Sequence, residues 1–547
     1  VVQALRLASE GRGGFTIQDP FKLKRLALEF GIKPDGKSNT ELARELADRA
    51  SYMFGQQEGE LLLINRAPKK RVELWRKLGI VPRGIDREVV EVMHRTTMGV
   101  DNDYQNILRQ GMRTALADGW GGSMIATDLQ DVLFRSPKPI RSSVNLGVLK
   151  RDQINLVVHG HEPVLSEMIV AASREPEMLK LANEKGAKGI VVAGICCTAN
   201  EMLMRHGVPV VGNFLQQELA LVTGAVDLMV VDVQCVMPGL RSLVGCFHTQ
   251  LVTTSPKARM PGVEHVEFHE EHAIETGREI VRRAIANFPN RDPGKVNIPD
   301  AESDLVAGFT TENTFHFLGG RYRASYRPLN DAIIDGRLRG AVGIVGCNNP
   351  NIMQDWAHIT LTKELLRNDV LIVTSGCAAI ADAKCGLLRP EAAFESAGPG
   401  LREICEAVGI PPVLHIGACV DNSRILTTLI EIVSEGGLGD DFSQLPVAGS
   451  APEWMSEKAV AIGFYCVASG VLTHFGTPHP VMGSPAVHQF ITEEVEKLVG
   501  GKFLFEPDPV KAAAGIIEHL DRKRAELKLA PPMYTPNKVL QGVPVGV

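Results

Sequence analysis

Six short runs of β-branched and other apolar residues, spread between positions 154 and 419, each lead directly into a Cys or a His. The runs and their last residues are LVVHGH ending at His161, VVAGICC at Cys197, VVDVQC at Cys235, GIVGC at Cys347, LIVTSGC at Cys377 and VLHIGAC at Cys419. The spacings are 36 and 38 residues in the first three, and 30 and 42 in the last three. Each spacing accommodates one βαβ crossover of about 30 residues or more. The chain is therefore constrained to parallel α/β units with a soft donor after each strand.

The first part of the chain has a helical pattern instead. The sequence Ser38-Asn39-Thr40-Glu41 has the form of a capping box, and apolar residues then recur at helical spacing. These residues are Leu42, Leu46, Ala50 and Met53, and the same type of pattern continues with Val89, Val92 and Met93. It precedes the Gly-rich break at residues 119–122. We predict a packed helical domain over residues 1–140.

From about residue 150, short β-branched runs alternate with helical stretches, which is typical of parallel βαβ units. The predicted strands are Ile154–Val158, Ile190–Ala193, Leu228–Val233, Ala341–Val345, Val370–Thr374 and Val413–Ile416. A helix-like segment, Val164–Lys185, lies between the first two. A stretch rich in Pro, Asp and Gly, Pro289–Asp300, predicts a linker. We therefore predict two α/β domains, over residues 141–300 and 301–547.

Composition excludes several classes of protein. Of the 547 residues, 44% are hydrophobic and 22% are charged, and the net charge is −6 with mixed signs. A nucleic-acid-binding surface would need a basic patch, and a membrane span would need about 18 apolar residues in a row; the sequence has neither. Ten Cys are too sparse for a disulfide scaffold, and there is no C-x-x-C pair. We expect a cytoplasmic protein with reduced thiols.

Ligands of open α/β sheets bind beyond the carboxyl ends of the strands, so the six donors are expected to converge on the cleft between two domains. Thiolates and an imidazole select iron–sulfur, nickel or zinc centres. Six donors exceed the four that one tetrahedral zinc takes, which favours a polynuclear cluster. Glycines beside the donors permit tight turns and a close approach of backbone to the cluster. They are Gly160, Gly346, Gly376 and Gly417. The other cysteines, Cys196, Cys246, Cys385, Cys405 and Cys466, are expected to be core or helix residues, and Cys196 is ambiguous because it adjoins Cys197.

Several longer segments carry a specific pattern: VHGHEPVLSEMI, GICCTANEMLMRHG, MVVDVQCVMPG, GCNNPN, SGCAA, VLHIGACVDNSR and SEKAVAIG. These segments closely resemble the nickel–iron carbon monoxide dehydrogenases of the monofunctional or acetyl-CoA-synthase-linked type, and the resemblance runs from residue 1 to about 525. The resemblance implies a helical domain followed by two Rossmann-like α/β domains, in a hybrid-cluster or prismane-like architecture. It implies reversible oxidation of CO with water to CO₂, two protons and two electrons at a Ni–Fe–S cluster.

The resemblance also implies a role for individual residues. His161 and Cys197 would hold a pendant iron, Cys419 would hold nickel, and Cys235, Cys347 and Cys377 would hold the three irons of the cubane. Lys458 in SEKAVAIG matches the family's active-site lysine, and Ile462 its apolar lid over nickel. Asp118 in LADGW is similar to the acidic partner of that lysine.

Members of the family also carry an N-terminal Cys-rich segment for further 4Fe-4S clusters, and a histidine-rich helix for proton transfer. This sequence is expected to begin after both. The expected partners are a ferredoxin-like electron carrier, a second copy of the chain in a homodimer and, in some members, an acetyl-CoA synthase subunit.

Three alternatives are an iron-only hybrid-cluster enzyme of the hydroxylamine reductase type, a non-catalytic cluster-binding scaffold subunit, and a zinc-stabilised structural protein. The absence of a C-x-x-C pair argues against the zinc protein. The H-G-H and G-I-C-C segments, together with S-E-K-A-V-A-I-G, favour the nickel enzyme over the first. Retention of all six donors and the lysine argues against the second.

Overall fold

The computed structural model describes residues 1–313 and 325–534. The segment before the first strand is helical, with α1 Val2–Glu10, α2 Pro20–Glu29, α3 Asn39–Gly55, α4 Lys69–Leu78, α5 Ile85–Arg95, α6 Tyr104–Ala117 and α7 Met124–Phe134. The capping box predicted at Ser38 and Glu41 is confirmed at the start of α3. Within the described ranges, no helix has the length and apolarity that crossing a bilayer requires.

Two details of the helical segment differ from the prediction. Val89 and Met93 on α5 are 45% and 67% exposed rather than packed, because the buried residues of α5, Ile85 and Glu88, lie on a face rotated away from these two side chains. The glycines at 119–122 do not break the helix. They form a π-helical turn, Asp118–Ser123, that joins α6 to α7, and a Cβ at Gly119 would lie 2.5 Å from the ring of Tyr465. Such π-helical turns occur frequently at functional sites.

The next part of the chain alternates strands and helices, as predicted. Its strands are β1 Ile140–Val144, β2 Ile154–Gly160, β3 Ile190–Ile195, β4 Val210–Gly212, β5 Leu228–Val231, β6 Gln250–Thr253 and β7 Glu264–His265. Its helices are α8 Pro163–Ser173, α9 Pro176–Glu184, α10 Cys196–His206, α11 Gln217–Val222, α12 Leu240–Val244 and α13 Ala273–Asn287. The stretch predicted as one helix-like segment is split into α8 and α9, because Pro176 disfavours helical geometry at the residue before it.

The last part repeats this plan. Its strands are β8 Ser303–Ala307, β9 Gly340–Ile344, β10 Val370–Thr374, β11 Val413–His415, β12 Val447–Ala451, β13 Leu472–Phe475 and β14 Phe503–Phe505. Its helices are α14 Arg327–Ile334, α15 Trp356–Arg367, α16 Gly376–Lys384, α17 Ala392–Ser396, α18 Pro399–Val408, α19 Asn422–Glu435, α20 Glu457–Ala468, α21 Pro485–Gln489, α22 Val495–Val499 and α23 Pro509–Glu526.

All of these strands form one 14-stranded sheet in the order β14-β13-β12-β9-β10-β11-β8-β1-β4-β3-β2-β5-β6-β7. Strands β1–β7 and strands β8–β14 therefore follow the same order, and every pairing within each half is parallel. The two halves meet at a seam where β1 pairs antiparallel with β8, from Ile140 opposite Ala307 to Val144 opposite Ser303. The chain thus has a mixed α/β fold with a large, mainly parallel sheet.

The twist of this sheet determines where the two halves place their carboxyl ends. In a flat sheet the antiparallel seam would direct the carboxyl ends of the two halves to opposite edges. Neighbouring strands rotate by about 20–25°, so the five steps from β10 to β3 accumulate roughly 100–125°. A rotation of this size would bring the carboxyl ends of both halves to one face of the sheet, and the contacts described below join them.

A buried network of ion pairs fixes the helical segment to both halves of the sheet. Lys22 Nζ on α2 lies 2.6 Å from Asp131 and 3.1 Å from Asp128, both on α7. Asp131 also pairs with Arg205 on α10 at 2.9 Å and with Arg424 on α19 at 2.8 Å. Burial raises the pKa of the Asp128 carboxyl, but the nearby cations outweigh burial and lower it to about 2.

We expect Lys22→Met to destabilise the protein by about 3 kcal/mol at neutral pH, because it removes one partner of a buried ion pair. A carboxyl whose pKa is lower in the folded state than in the unfolded state stabilises the folded protein at pH values above the unfolded-state pKa, which is about 3.9 for Asp. This stabilisation is lost as the pH falls towards the pKa of the folded state. The difference in free energy of unfolding between Lys22→Met and wild type should therefore become smaller between pH 4 and pH 2, as measured by chemical denaturation. The control is Lys24→Met, at an exposed position on the same helix. Equal free energies of unfolding for the two variants would contradict the expectation.

Candidate metal centre

The six predicted donors all follow strands at the centre of the two halves. In the first half, His161 follows β2, Cys197 follows β3 and Cys235 follows β5, and these are neighbouring strands. In the second half, Cys347, Cys377 and Cys419 follow β9, β10 and β11, which are also neighbours. The strands β3 and β11 lie nearest the seam in each set. The sheet therefore presents three donor-bearing strand ends from each half.

Contacts across the seam bring these strand ends together. The backbone N–H of Cys419 donates to Cys197 Sγ at 3.3 Å, which joins the second half to the first. Lys458 Nζ, from α20, lies 2.8 Å from His161 Nε2. Cys235 Sγ is 3.7 Å from the same Nε2. The donors that the sequence singled out thus surround a common region between the halves.

Cys347 and Cys377 lie on the same side of the molecule as the other donors. Both thiols are buried, at 3% and 6% exposure. Burial first, and then the charges of Cys419, Cys377 and Cys235, raise the pKa of Cys347, while the Lys458 ammonium lowers it. The backbone carbonyl of Cys347 accepts a hydrogen bond from His358 Nε2 at 2.8 Å, which holds the loop after β9.

Cys196 lies among the candidate donors, although the sequence predicted a core or helix residue at this position. It is 1% exposed, and its pKa is raised well above the ordinary value by burial and by hydrogen bonding with the thiols of Cys235 and Cys377. The adjacency of Cys196 to Cys197 was the available signal. Its thiol reaches the site because Cys196 has a positive φ of 62°, which is uncommon outside glycine. Of the other cysteines placed in the core or on helices, Cys246 and Cys385 are exposed instead.

The four glycines that were predicted to permit tight turns all have positive φ, from 63° at Gly376 to 133° at Gly160. A Cβ at Gly376 would lie 2.7 Å from Cys419 Sγ. The backbone at the start of α16 therefore approaches this thiol as closely as only glycine allows. Glycines at these positions leave room for a large inorganic group beside the thiols.

The electrostatics of the site favour a thiolate at two of the cysteines, beside one ammonium. Hydrogen bonding with Cys196 lowers the pKa of Cys235 to about 3, against the effect of burial. Hydrogen bonding with Cys197 similarly lowers the pKa of Cys419 to about 5. Burial lowers the pKa of Lys458, but the charges of the surrounding cysteines outweigh burial and hold it well above its usual value. Thiolate is the form of Cys that binds metals.

The number and chemistry of the donors suit a polynuclear cluster. Within residues 1–313 and 325–534, no group of three His, Cys, Asp or Glu side chains has the geometry to hold one metal ion. Among the donors, Cys197 contacts Cys419, and His161 contacts Cys235. Among the residues that the structure describes, the buried ring Nδ1 of His161 has no hydrogen-bond partner. Sulfur and imidazole donors in this arrangement suit iron–sulfur and nickel chemistry.

The predicted acid and the predicted lid also lie at the site. Asp118 belongs to the π-helical turn after α6, and burial raises the pKa of its carboxyl to about 6, while the Lys458 ammonium acts in the opposite direction. Ile462 is four residues after Lys458 on α20 and packs against Cys197 and Cys419. Lys458 and Ile462 therefore project from consecutive turns of one helix towards the candidate donors.

A cavity of about 110 Å³ extends from the site between the second half of the sheet and the helices α19 and α20. Its walls are almost entirely apolar, and Cys347, Cys419, Lys458 and Ile462 line the end that faces the candidate centre. A water-sized molecule needs only about 10–15 Å³ of such a volume. The cavity therefore offers space for small apolar molecules next to the donors.

Paired soft donors at the carboxyl ends of parallel strands are typical of a metal-cluster oxidoreductase with a mixed α/β fold. Comparison with known proteins gives the family. The sequence matches the Prismane/CO dehydrogenase family over residues 1–510, and the chain belongs to that family.

Individual relatives agree with this assignment. The chain is 56% identical over 529 residues to carbon monoxide dehydrogenase 1 of Methanosarcina mazei, covering 96% of the chain and 83% of that protein. It is 41% identical over 542 residues to the carbon monoxide dehydrogenase/acetyl-CoA synthase subunit beta of Moorella thermoacetica, covering 96% and 80%. The as-isolated, nickel-free crystal structure of carbon monoxide dehydrogenase from Thermococcus sp. AM4 superimposes with a TM-score of 0.93 at 51% identity, covering 96% and 83%. The resemblance found in the sequence is confirmed.

Proposed function

We propose that this chain is an anaerobic carbon monoxide dehydrogenase, which oxidises CO with water to CO₂ and releases two protons and two electrons. The observation that carries the proposal is the placement of the Lys458 ammonium, 2.8 Å from His161 and among the thiols of the six predicted donors. The names of relatives that match 96% of the chain favour this reaction over the hybrid-cluster and scaffold alternatives.

We assign the predicted donors to a Ni–Fe–S cluster. His161 and Cys197 would hold the pendant iron, and Cys419 would hold nickel. Cys235, Cys347 and Cys377 would hold the remaining three irons. When bound, the cluster supplies an open metal position for CO, a site that acidifies water, and storage for two electrons. The thiolates favoured at Cys235 and Cys419 support this assignment.

The protein's own residues would prepare the reaction. Lys458 would stabilise the negative charge that develops on the reacting oxygen and move a proton, because a preorganised cation in a water-poor site is an efficient stabiliser of such charge. Asp118 would act as the acidic partner of Lys458. Ile462 would keep bulk water from the nickel side, which its packing against Cys419 supports.

The proposed function also implies a cellular location and binding partners. We place the chain in the cytoplasm, which its ten free cysteines support. Electrons would pass to a ferredoxin-like carrier, and two copies would form a homodimer. An acetyl-CoA synthase subunit is a further partner, as the name of the Moorella thermoacetica relative suggests. Any additional 4Fe-4S clusters would require ligands outside the six donors assigned here.

We also propose three structural units, residues 1–140, 141–300 and 301–547. The helices that end at Phe134 and the repeated strand order of the two halves support this division. Residues 314–324 and 535–547 of the third unit lie outside the described residues. The second and third units would each be Rossmann-like, with the cluster between them.

The proposed function is tested on anaerobically purified full-length protein by metal analysis and by CO-dependent reduction of a viologen dye. We expect stoichiometric nickel, several irons per chain, and dye reduction that depends on CO. Iron without nickel, together with reduction of hydroxylamine, would assign the chain to the hybrid-cluster alternative. A bound cluster without either activity would assign it to the scaffold alternative.

A further inference from the structure

The buried carboxylate of Asp232 lies beside the candidate metal ligands of the first half of the sheet. Asp232 directly follows β5 and is 7% exposed. Its Oδ1 accepts hydrogen bonds from the backbone N–H groups of His161 at 2.6 Å and Glu162 at 3.1 Å, and also from that of Val233. Its Oδ2 accepts a hydrogen bond from the hydroxyl of Thr198 at 2.8 Å. Both oxygens are therefore occupied by groups of the protein itself.

Each of these hydrogen-bond donors belongs to a segment that carries a candidate metal ligand. His161 is a candidate ligand itself. Thr198 directly follows Cys197 in the first turn of α10, and Val233 lies two residues before Cys235. The three segments follow β2, β3 and β5, which are neighbouring strands. One carboxylate thus ties together the three ligand-bearing segments of the first half.

The backbone around Asp232 is shaped to admit the carboxylate. Gly160 has a φ of 133°, and a Cβ there would lie 1.8 Å from Asp232 Oδ1, so no other residue fits. In the loop towards the third ligand, Gln234 and Cys235 have φ of 67° and 58°. Two successive non-glycine residues in this left-handed region persist only where surrounding contacts hold them. The hydrogen bond from Val233 to the carboxylate is one such contact.

We propose that Asp232 is a positioning residue, which directs His161 and Cys197 towards the iron that these two residues would share. The inference rests on the proposed function, because it concerns ligands of the same cluster. Outer groups that orient metal ligands typically contribute 10- to 100-fold to metal affinity. Asp232 acts through hydrogen bonds to the ligand-bearing segments and does not itself bind metal.

The test is a chelator challenge of anaerobically purified full-length protein, in which the release of iron is followed over time and the cluster's electron paramagnetic resonance spectrum is recorded. In Asp232→Ala we expect one iron to be released about 10- to 100-fold faster than in wild type, ahead of the others. Asp232→Asn should remain close to wild type, because its amide oxygen still accepts the three N–H bonds and its NH₂ group donates to the Thr198 hydroxyl. Thr198→Val removes only the bond beside Cys197 and should give a smaller acceleration of the same iron.

The matched control is Asp227→Ala. Asp227 directly precedes β5, at the opposite end of the strand from Asp232. Its carboxylate is fully buried, accepts a hydrogen bond from the N–H of Asn155 at 2.7 Å and pairs with Arg291. We expect Asp227→Ala to lower the stability of the fold without the selective loss of one iron. Should Asp232→Ala not accumulate as folded protein, the comparison of Thr198→Val with wild type decides the question.

Three results would overturn the positioning role: iron released at one uniform rate from Asp232→Ala, no acceleration in Thr198→Val, or Asp232→Asn behaving like Asp232→Ala. A wild-type protein that binds no iron–sulfur cluster would instead refute the proposed function. The two failures are therefore distinguishable in the same experiment.

Discussion

Lys458→Ala is expected to keep its nickel and iron but to oxidise CO about 10²- to 10³-fold more slowly, which is the usual effect of removing one preorganised charge-stabilising donor. The ammonium lies 2.8 Å from His161 and is held in the charged form by the neighbouring thiols, yet it is not among the assigned metal ligands. Its removal should therefore affect turnover and leave assembly of the cluster intact. The measurement combines metal analysis with CO-dependent dye reduction on the same preparation.

Two further variants sharpen this prediction. Lys458→Arg should recover little activity, because a planar guanidinium does not replace a compact ammonium in a tight site. Glu457→Ala, at the exposed neighbouring position on α20, should behave as wild type. Full activity of Lys458→Ala with a fully loaded cluster would show that another group supplies the charge.

Cys419→Ala is expected to lose nickel preferentially and to retain part of the iron–sulfur absorbance, because Cys419 is assigned to nickel alone. Cys235→Ala should disturb the cluster as a whole. Cys235 contacts His161 and hydrogen-bonds with Cys196, so its loss removes a donor from the iron side of the site. Nickel and iron contents of anaerobically purified variants, together with their absorbance spectra, measure the difference.

The control for both variants is Cys405→Ala. Cys405 lies on α18 and is 2% exposed, so its removal creates a similar cavity away from the candidate centre. It should retain both metals. Equal loss of nickel and iron in Cys419→Ala and Cys235→Ala would refute the division between a nickel ligand and an iron ligand.

Local sequence patterns were sufficient to locate the strands that bear the donors. The predicted strand Val370–Thr374 coincides with β10, and Ile190–Ala193 and Val413–Ile416 differ from β3 and β11 by one or two residues. These strands are buried in a parallel sheet, so their residues form short continuous apolar runs that end where the chain turns into a loop. Because ligands bind at such ends, the amino-acid sequence alone indicates the six candidate donors.

Features that depend on long-range packing were not visible in the sequence. The seam between β1 and β8 joins residues more than 150 positions apart, and nothing local predicts that two parallel halves share one sheet. Cys196 reaches the site through a positive φ, which its residue type disfavours. The contact of Lys458 with His161 likewise required the family resemblance, because an isolated lysine near the start of a helix is ordinarily a surface residue.

The central claim is that six donors from the two halves of the sheet hold one Ni–Fe–S cluster. Anomalous X-ray scattering from crystals of anaerobically purified protein, recorded at the nickel and iron absorption edges, tests it most directly. We expect the nickel signal beside Cys419 Sγ, and iron signals beside Cys235, Cys347 and Cys377 and between His161 and Cys197. Nickel or iron signals located away from these residues, or a single zinc ion among them, would contradict the account.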